Sequence, residues 1–253
     1  MKKILGIVVL GGIALVILAV MAIFYLGPIV KAGVEKVGPQ VAQVPVKLDG
    51  ATISVFSGNG ELKGFVLGNP EGFKTPEAVK VGTVAISLVP KSVTSSKVIV
   101  RSIRVESPEI TYEAGLGGSN IGKILENMQS KEKQEKSGGA KSSGKGLQVD
   151  DFLITGGKIH ASATVLGGMS ATLALPEIHF SNLGQGPEGI TAAELSSKVF
   201  AGVVDAAAKA VAANAGNLGK IANDAVKGLG GDAEDRAKKL GSSVTDLLKS
   251  KKK

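Results

Sequence analysis

From Ile4 to Leu26 the chain carries no charged residue, a run of 23 positions that follows Lys2 and Lys3. As a helix rising ~1.5 Å per residue, such a run covers ~34 Å, enough for a hydrocarbon core of ~30 Å. A cleaved signal peptide is the rival reading, but its apolar region is about 7 to 15 residues long and ends at a small-residue site. Val20-Met21-Ala22 is a weak site of that kind, and the apolar run continues past it through Phe24, Tyr25 and Leu26. The length predicts a retained transmembrane anchor over residues 1–27, with Ile4, Leu15 and Leu26 marking its ends and middle. Tyr25 would sit at the far interface, where an aromatic ring with a polar tip is stable. Lys2 and Lys3 favour a cytoplasmic N-terminus, while Lys31 and Lys36 beyond the anchor weaken that bias, so charge alone leaves the orientation open.

Gly27-Pro28 closes the apolar run, and residues 28–45 have the pattern of a stalk or a continuing helix. The pattern then changes to period two. Ile53 and Val55 alternate with Thr52 and Ser54, and Val84, Ile86 and Leu88 share a face. Ile99, Arg101, Ile103 and Val105 fall on one side of the next run, with Val98, Val100, Ser102 and Arg104 on the other. Later, Ile159, Ala161, Ala163 and Val165 alternate with polar residues, as do Met169, Ala171, Leu173 and Leu175. Short alternating runs separated by Gly, Asn and Pro predict an antiparallel sheet of roughly seven or eight strands over residues 46–185. Gly156-Gly157 and Gly167-Gly168 are expected hairpin turns, because glycine tolerates positive φ. The fold class is therefore α+β.

The β region is interrupted at residues 119–146. A helix is expected to open near Ser119 or Asn120, with Ile121, Ile124, Leu125 and Met128 on one stripe. The Gly, Ser and Lys run that follows has no apolar residue to bury and is expected to be a flexible insertion at a sheet edge. Residues 186–253 form a helical region. Thr191 and Glu194 have capping-box spacing, and Leu195, Val199, Val203, Ala207 and Val211 recur every four positions. A second amphipathic candidate carries Ala233, Ala237, Leu240, Val244 and Leu248, and the chain ends in Lys249, Lys251, Lys252 and Lys253. The formal net charge is +8. A basic tail of this kind suits an anionic surface or serves as a solvated end, and the last helices either contact a membrane, pack on the sheet or trail in solvent.

The chemical inventory is thin. With no cysteine, disulfides and thiolate metal sites are excluded. His160 and His179 are the two histidines, and no cluster of carboxylates accompanies them in sequence. Asp150-Asp151 looks like a strand start. Gly115, Gly117 and Gly118 precede a helix but lack the GxxxxGK[ST] pattern of a phosphate loop. Nine aromatic residues, none of them Trp, make a poor stacking platform for nucleic acid. These features predict no catalytic site, no metal, no cofactor and no nucleic-acid partner.

One set of residues carries a resemblance. The turn Gly68-Asn69-Pro70-Glu71-Gly72-Phe73 follows one strand run, and the next begins after Ala78. The stretch Ser107-Pro108-Glu109-Ile110-Thr111-Tyr112-Glu113 comes later, and a helix start follows at Gly118-Ser119-Asn120. In this grammar, over roughly Leu48 to Met128 together with the N-terminal anchor, the chain resembles a short member of the AsmA-like family of bacterial envelope proteins. The resemblance implies one inner-membrane helix, a periplasmic curved β-sheet groove and a role in moving or binding membrane lipids, with envelope proteins or further copies as partners. Long members are several-fold larger. About eight strands spaced ~4.8 Å apart make a groove of only ~38 Å, too short to bridge an envelope alone.

A sheet with one apolar face must cover it. Either the chain's own helix does so, giving a membrane-tethered scaffold, or the face stays open as a trough for acyl chains. Ile53, Val55, Val84, Ile86 and Leu88 are the expected lining of such a trough.

Overall fold

A computed structural model of the chain describes residues 26–54, 56–115, 118–137, 144–163 and 169–214. Ile4, Leu15, Val55, Val165, the Gly167-Gly168 pair, the second C-terminal helix and the lysine tail lie outside the described residues. No helix among the described residues is long and apolar enough to cross a membrane. The run expected to do so enters the described structure at Leu26.

Helix α1 covers residues 26–42. Strands β1 (Val46–Lys47), β2 (Gly50–Ile53), β3 (Asn59–Gly68) and β4 (Glu77–Leu88) follow, then a 3-10 turn at Pro90–Thr94. Next come β5 (Lys97–Glu106), β6 (Glu109–Gly115), β7 (Gly118–Ser119) and α2 (Asn120–Ser137). The chain continues through β8 (Gly146–Thr155), β9 (Lys158–Ala163), β10 (Met169–Ala174), β11 (Ile178–Leu183) and α3 (Ala192–Ala213).

All these strands join one curled sheet, and it is mixed rather than purely antiparallel. β5 pairs with β8 in parallel, and β6 pairs with β9 in parallel. A parallel neighbour needs a crossover connection, usually a helix. α2 lies on that crossover rather than on an insertion at an edge, and residues 138–143 of the Gly/Ser/Lys run lie outside the described residues. Gly156-Gly157 is likewise no hairpin: β8 and β9 run on in the same direction beside β5 and β6. Local turn chemistry does not distinguish a kink within a continuing strand from a reversal.

The kinks line up. Ser107-Pro108 separates β5 from β6, Gly156-Gly157 separates β8 from β9, and Leu175-Pro176-Glu177 separates β10 from β11. They are stitched side by side: Ser107 N–H donates to Thr155 O, Lys158 N–H to Pro108 O, and Leu175 N–H to Gly157 O, each at 2.8 Å. A Cβ at Gly157 would stand 2.7 Å from Leu175 Cδ2 and 3.0 Å from Pro108 Cγ, so a larger residue there would push the Leu175 side chain aside. Across this crease the buried residues are five apart (Val105 to Ile110, Ile154 to Ile159), an odd step that interrupts strict alternation.

Cross-strand partners share a face, so the register defines apolar rows. One row runs Leu62, Val84, Val105, Ile154, Ile178; the next runs Ile53, Gly60, Ile86, Ile103, Phe152, Phe180. Beyond the crease lies Val46, Leu67, Val79, Ile110, Ile159, Leu173. A register shift sets Val100, rather than Arg101, opposite Leu88, which corrects the strict alternation expected along β5.

Helices cover much of this apolar side. On α2, Ile121, Ile124 and Met128 are buried and Leu125 packs against them, as the stripe predicted. α3 packs on β8, β10, β11 and α2. Thr191 caps α3, its Oγ1 accepting from Glu194 N–H at 3.1 Å. The buried stripe of α3 is Ala193, Ser197, Phe200, Val203, Ala207 and Ala210. It is rotated from the expected every-fourth series, because a spacing of four drifts from the ~3.6-residue turn and small residues allow close approach. Gly202 lies flat on Phe180: a Cβ there would stand 2.4 Å from the ring. The 28–45 segment is docked rather than free, with Val41, Ala42 and Val44 in the core.

Candidate functional site

The first candidate is the apolar floor. Val84 is 9% exposed and belongs to the core. Ile53, Leu62, Ile86, Leu88, Val100 and Ile103 are only half-buried, in contrast to Val105, Ile154 and Ile178 further along the same side. The difference follows the helices. α3 seals the β8–β11 side of the sheet, whereas the β2–β5 side keeps a row of partly open aliphatic side chains. Of the residues expected to line a trough, Ile53, Ile86 and Leu88 lie on this half-open floor and Val84 at its sealed margin. A shallow hollow of about 630 Å³ lined by Thr52, Glu61, Thr83 and Ala85, with Ile53 and Phe56 at its edge, belongs to the opposite face of the sheet and not to this floor.

The second candidate is the cluster of motif residues, which sequence separation had kept apart. Gly68 N–H donates to Pro45 O at 2.8 Å, and Asn69 N–H to Pro76 O at 3.1 Å. Asn69 Nδ2 donates to Thr75 O and Oγ1 at 2.7 and 2.6 Å. Pro70 and Phe73 are half-buried within this turn, and Gly72 takes φ +91°, which favours glycine. The turn is clipped down by Glu113, a carboxylate only 3% exposed. It accepts from Lys74 N–H at 2.9 Å, Thr75 N–H at 3.1 Å and Thr75 Oγ1 at 3.0 Å. Burial alone would raise the Glu113 pKa. The hydrogen bonds from Lys74 and Thr75, helped by the Lys74 charge, outweigh it and hold the carboxyl below the ordinary glutamate range. Asn120, fully buried at the start of α2, accepts from Glu113 N–H at 2.9 Å and donates to Asn69 Oδ1 and Thr111 O at 2.7 and 2.8 Å. Ser119 Oγ caps the helix by accepting from Gly122 N–H at 3.1 Å. Gly68-Asn69-Pro70, Glu113 and Ser119-Asn120 thus form one polar clasp that fixes the β3–β4 turn to β6 and α2.

The third candidate was missed in the sequence. Ala85, Arg104, Leu153 and His179 form a row on the face opposite the apolar floor. Asp151 on β8 pairs with Arg104 on β5, and its Oδ1 lies 2.5 Å from His179 Nε2 on β11. The hydrogen bonds from His179 and then Arg104 hold the Asp151 carboxyl below the ordinary aspartate range. His179 therefore does have a carboxylate beside it, 28 positions away in sequence; only the β8–β11 register brings them together. The trio lies on the open surface and stitches three adjacent strands. His160 sits apart, with Nδ1 3.1 Å from Thr172 Oγ1. Among the described residues no group of three or more His, Asp or Glu side chains is arranged to hold a metal ion.

Comparison with protein-family models and with curated proteins finds no match for this chain.

Proposed function

We propose that this chain is a single-pass, membrane-anchored protein of the bacterial inner membrane, with its α+β domain in the periplasm, and that it binds or passes lipid on its apolar sheet face. The observation that carries the reading is the uneven cover of that face. Ile53, Leu62, Ile86, Leu88, Val100 and Ile103 stay half-buried, whereas Val105, Ile154 and Ile178 on the same side are buried. A soluble domain leaves such a row partly wet only at a cost of ~25 cal/mol for each Å² of apolar surface exposed, and an acyl chain removes that cost. The uncharged Ile4–Leu26 run supports placement beside a bilayer. The residues Asn69, Glu113 and Asn120, which belong to the stretch that resembles AsmA-like proteins, meet in one clasp.

A second reading is a non-enzymatic scaffold whose sheet is covered by its own helix. It is favoured by the packing of α3 on β8, β10 and β11 and by the burial of Val84.

Ile86→Asp separates the two. In a packed core an unpaired buried ion costs several kcal/mol and unfolds a marginal domain. On a half-open floor the carboxylate stays partly hydrated. The lipid reading expects a cooperative melt within several degrees of the parent and loss of co-purifying lipid. An unfolded or insoluble Ile86→Asp protein, with no lipid carried by the folded parent or by a folded Leu88→Asn, would favour the scaffold.

A further inference from the structure

One end of the sheet gathers exposed apolar residues and cations. Phe56, in the turn between β2 and β3, is 87% exposed; Val93, in the 3-10 turn after β4, is 46% exposed. The two turns are neighbours: Leu88 N–H donates to Gly58 O at 2.9 Å, and a Cβ on Gly58 would stand 3.0 Å from Pro90 Cδ. Four cations surround them. Lys91 lies in the 3-10 turn and is exposed. Lys145 Nζ donates to Val93 O at 2.5 Å, Arg101 Nη1 to Leu88 O at 3.1 Å, and Lys97 Nζ to Gly186 O at 3.0 Å. None of these bonds neutralises a charge. Two carboxylates lie nearby: Glu188, whose carbonyl packs against Gly146, and Glu61, which lines the same hollow as Phe56 and pairs with Lys63 at 3.7 Å.

The chain leaves the uncharged run at this same end. Gly38 of α1 packs on Val46, and Gly27 packs on the Ala51 carbonyl, so α1 runs along β1 and β2 with its start toward the β2–β3 turn. Ile29, one turn into α1, is 63% exposed. Exposed apolar side chains ringed by lysine and arginine match a bilayer interface: the apolar groups enter the acyl boundary and the cations meet anionic headgroups.

We propose that this end, carrying Phe56, Val93, Lys91, Arg101 and Lys145, docks on the anionic surface of the bilayer that holds the chain's own N-terminal run. It orients the half-open floor, which begins at Ile53 and Leu88, with its mouth against the lipid. The inference rests on the membrane-anchored reading above and adds the docking surface and its lipid chemistry.

The chain has no cysteine, so single cysteines can be labelled cleanly. The full chain carrying Phe56→Cys, Val93→Cys or Glu71→Cys, each with an environment-sensitive fluorophore, is reconstituted into phosphatidylcholine vesicles with and without phosphatidylglycerol. Lipids bearing a nitroxide at the headgroup boundary act as quencher. Glu71 lies in the turn at the other end of β4, roughly 35 Å away at ~3.3 Å per residue. Positions 56 and 93 should be quenched in the anionic vesicles and position 71 should not. Lys91→Glu or Lys145→Glu should lower the docked-to-undocked ratio by about five-fold per cation, and salt should do the same. Equal quenching at 56 and 71, or quenching at 56 and 93 indifferent to phosphatidylglycerol and to both lysine substitutions, would overturn the proposal. Lipid bound by the sheet is measured separately by extraction. Loss of docking with lipid retained sinks this inference alone, and docking without bound lipid sustains it while sinking the lipid-carrying reading.

Discussion

Asn120→Ala should be among the most damaging single substitutions in the described domain, although it touches neither the apolar floor nor the membrane. Asn120 is fully buried and holds three partners: Glu113 N–H, Asn69 Oδ1 and Thr111 O. Alanine removes all three hydrogen bonds and leaves polar groups unpaired in a site with no room for bulk water. At about 1 kcal/mol net for each bond the loss is about 3 kcal/mol, and desolvated orphans push it upward. For a domain of this size, 1 kcal/mol is worth about 2–4 °C, so the melting temperature should fall by about 6–12 °C. The assay is thermal unfolding of the full chain in detergent, followed by circular dichroism. Ser119→Ala is the internal control: it removes only the cap on Gly122 N–H and should cost about 1 kcal/mol. If Asn120→Ala melts within about 2 °C of the parent, or falls no further than Ser119→Ala, the clasp does not hold the β3–β4 turn and the structural reading of the motif fails.

Two further outcomes follow from the packing and the charges. Glu113 is held below its ordinary range in the folded state, so its contribution to stability is full above the unfolded carboxylate value and is lost as pH falls through the folded one. Glu113→Gln should therefore lower stability at neutral pH and flatten the acid limb that begins as pH falls below about 5 in urea titrations; an unchanged limb would contradict this. Gly202→Ala places a methyl 2.4 Å from the Phe180 ring. It should lift α3 from the sheet at a cost of about 1–3 kcal/mol, read as a lower urea midpoint, and a neutral result would mean that α3 is not tightly seated.

The α+β class was legible because period two and period 3.6 are both strong in this chain. The stripe Ile121, Ile124, Leu125 and Met128 and the Thr191 cap needed only local chemistry, and the structure places them as expected. What the sequence hid was non-local. Whether β8 lies parallel to β5 depends on the path of α2 across the sheet, and glycine pairs mark a kink as readily as a reversal. The β5 pattern was misread at Arg101 because the register shift shows only against β4. The stripe on α3 was misplaced because the alanine-rich helix gives little contrast between its faces. Asp151 and His179 carry no mutual signal at 28 residues' separation, and only the strand register unites them. The motif of Asn69, Glu113 and Asn120 was visible as a pattern, while its clasp geometry was not.

The central claim, that the half-open floor of Ile53, Leu62, Ile86, Leu88, Val100 and Ile103 holds acyl chains, is tested most directly by native mass spectrometry of the full chain released from mild detergent. The account predicts adducts of phospholipid mass on the parent protein that are depleted in Ile86→Asp at equal folded yield and retained in Glu71→Cys. A parent protein that flies without lipid under conditions gentle enough to keep detergent adducts, or an adduct population that Ile86→Asp leaves unchanged, would contradict it.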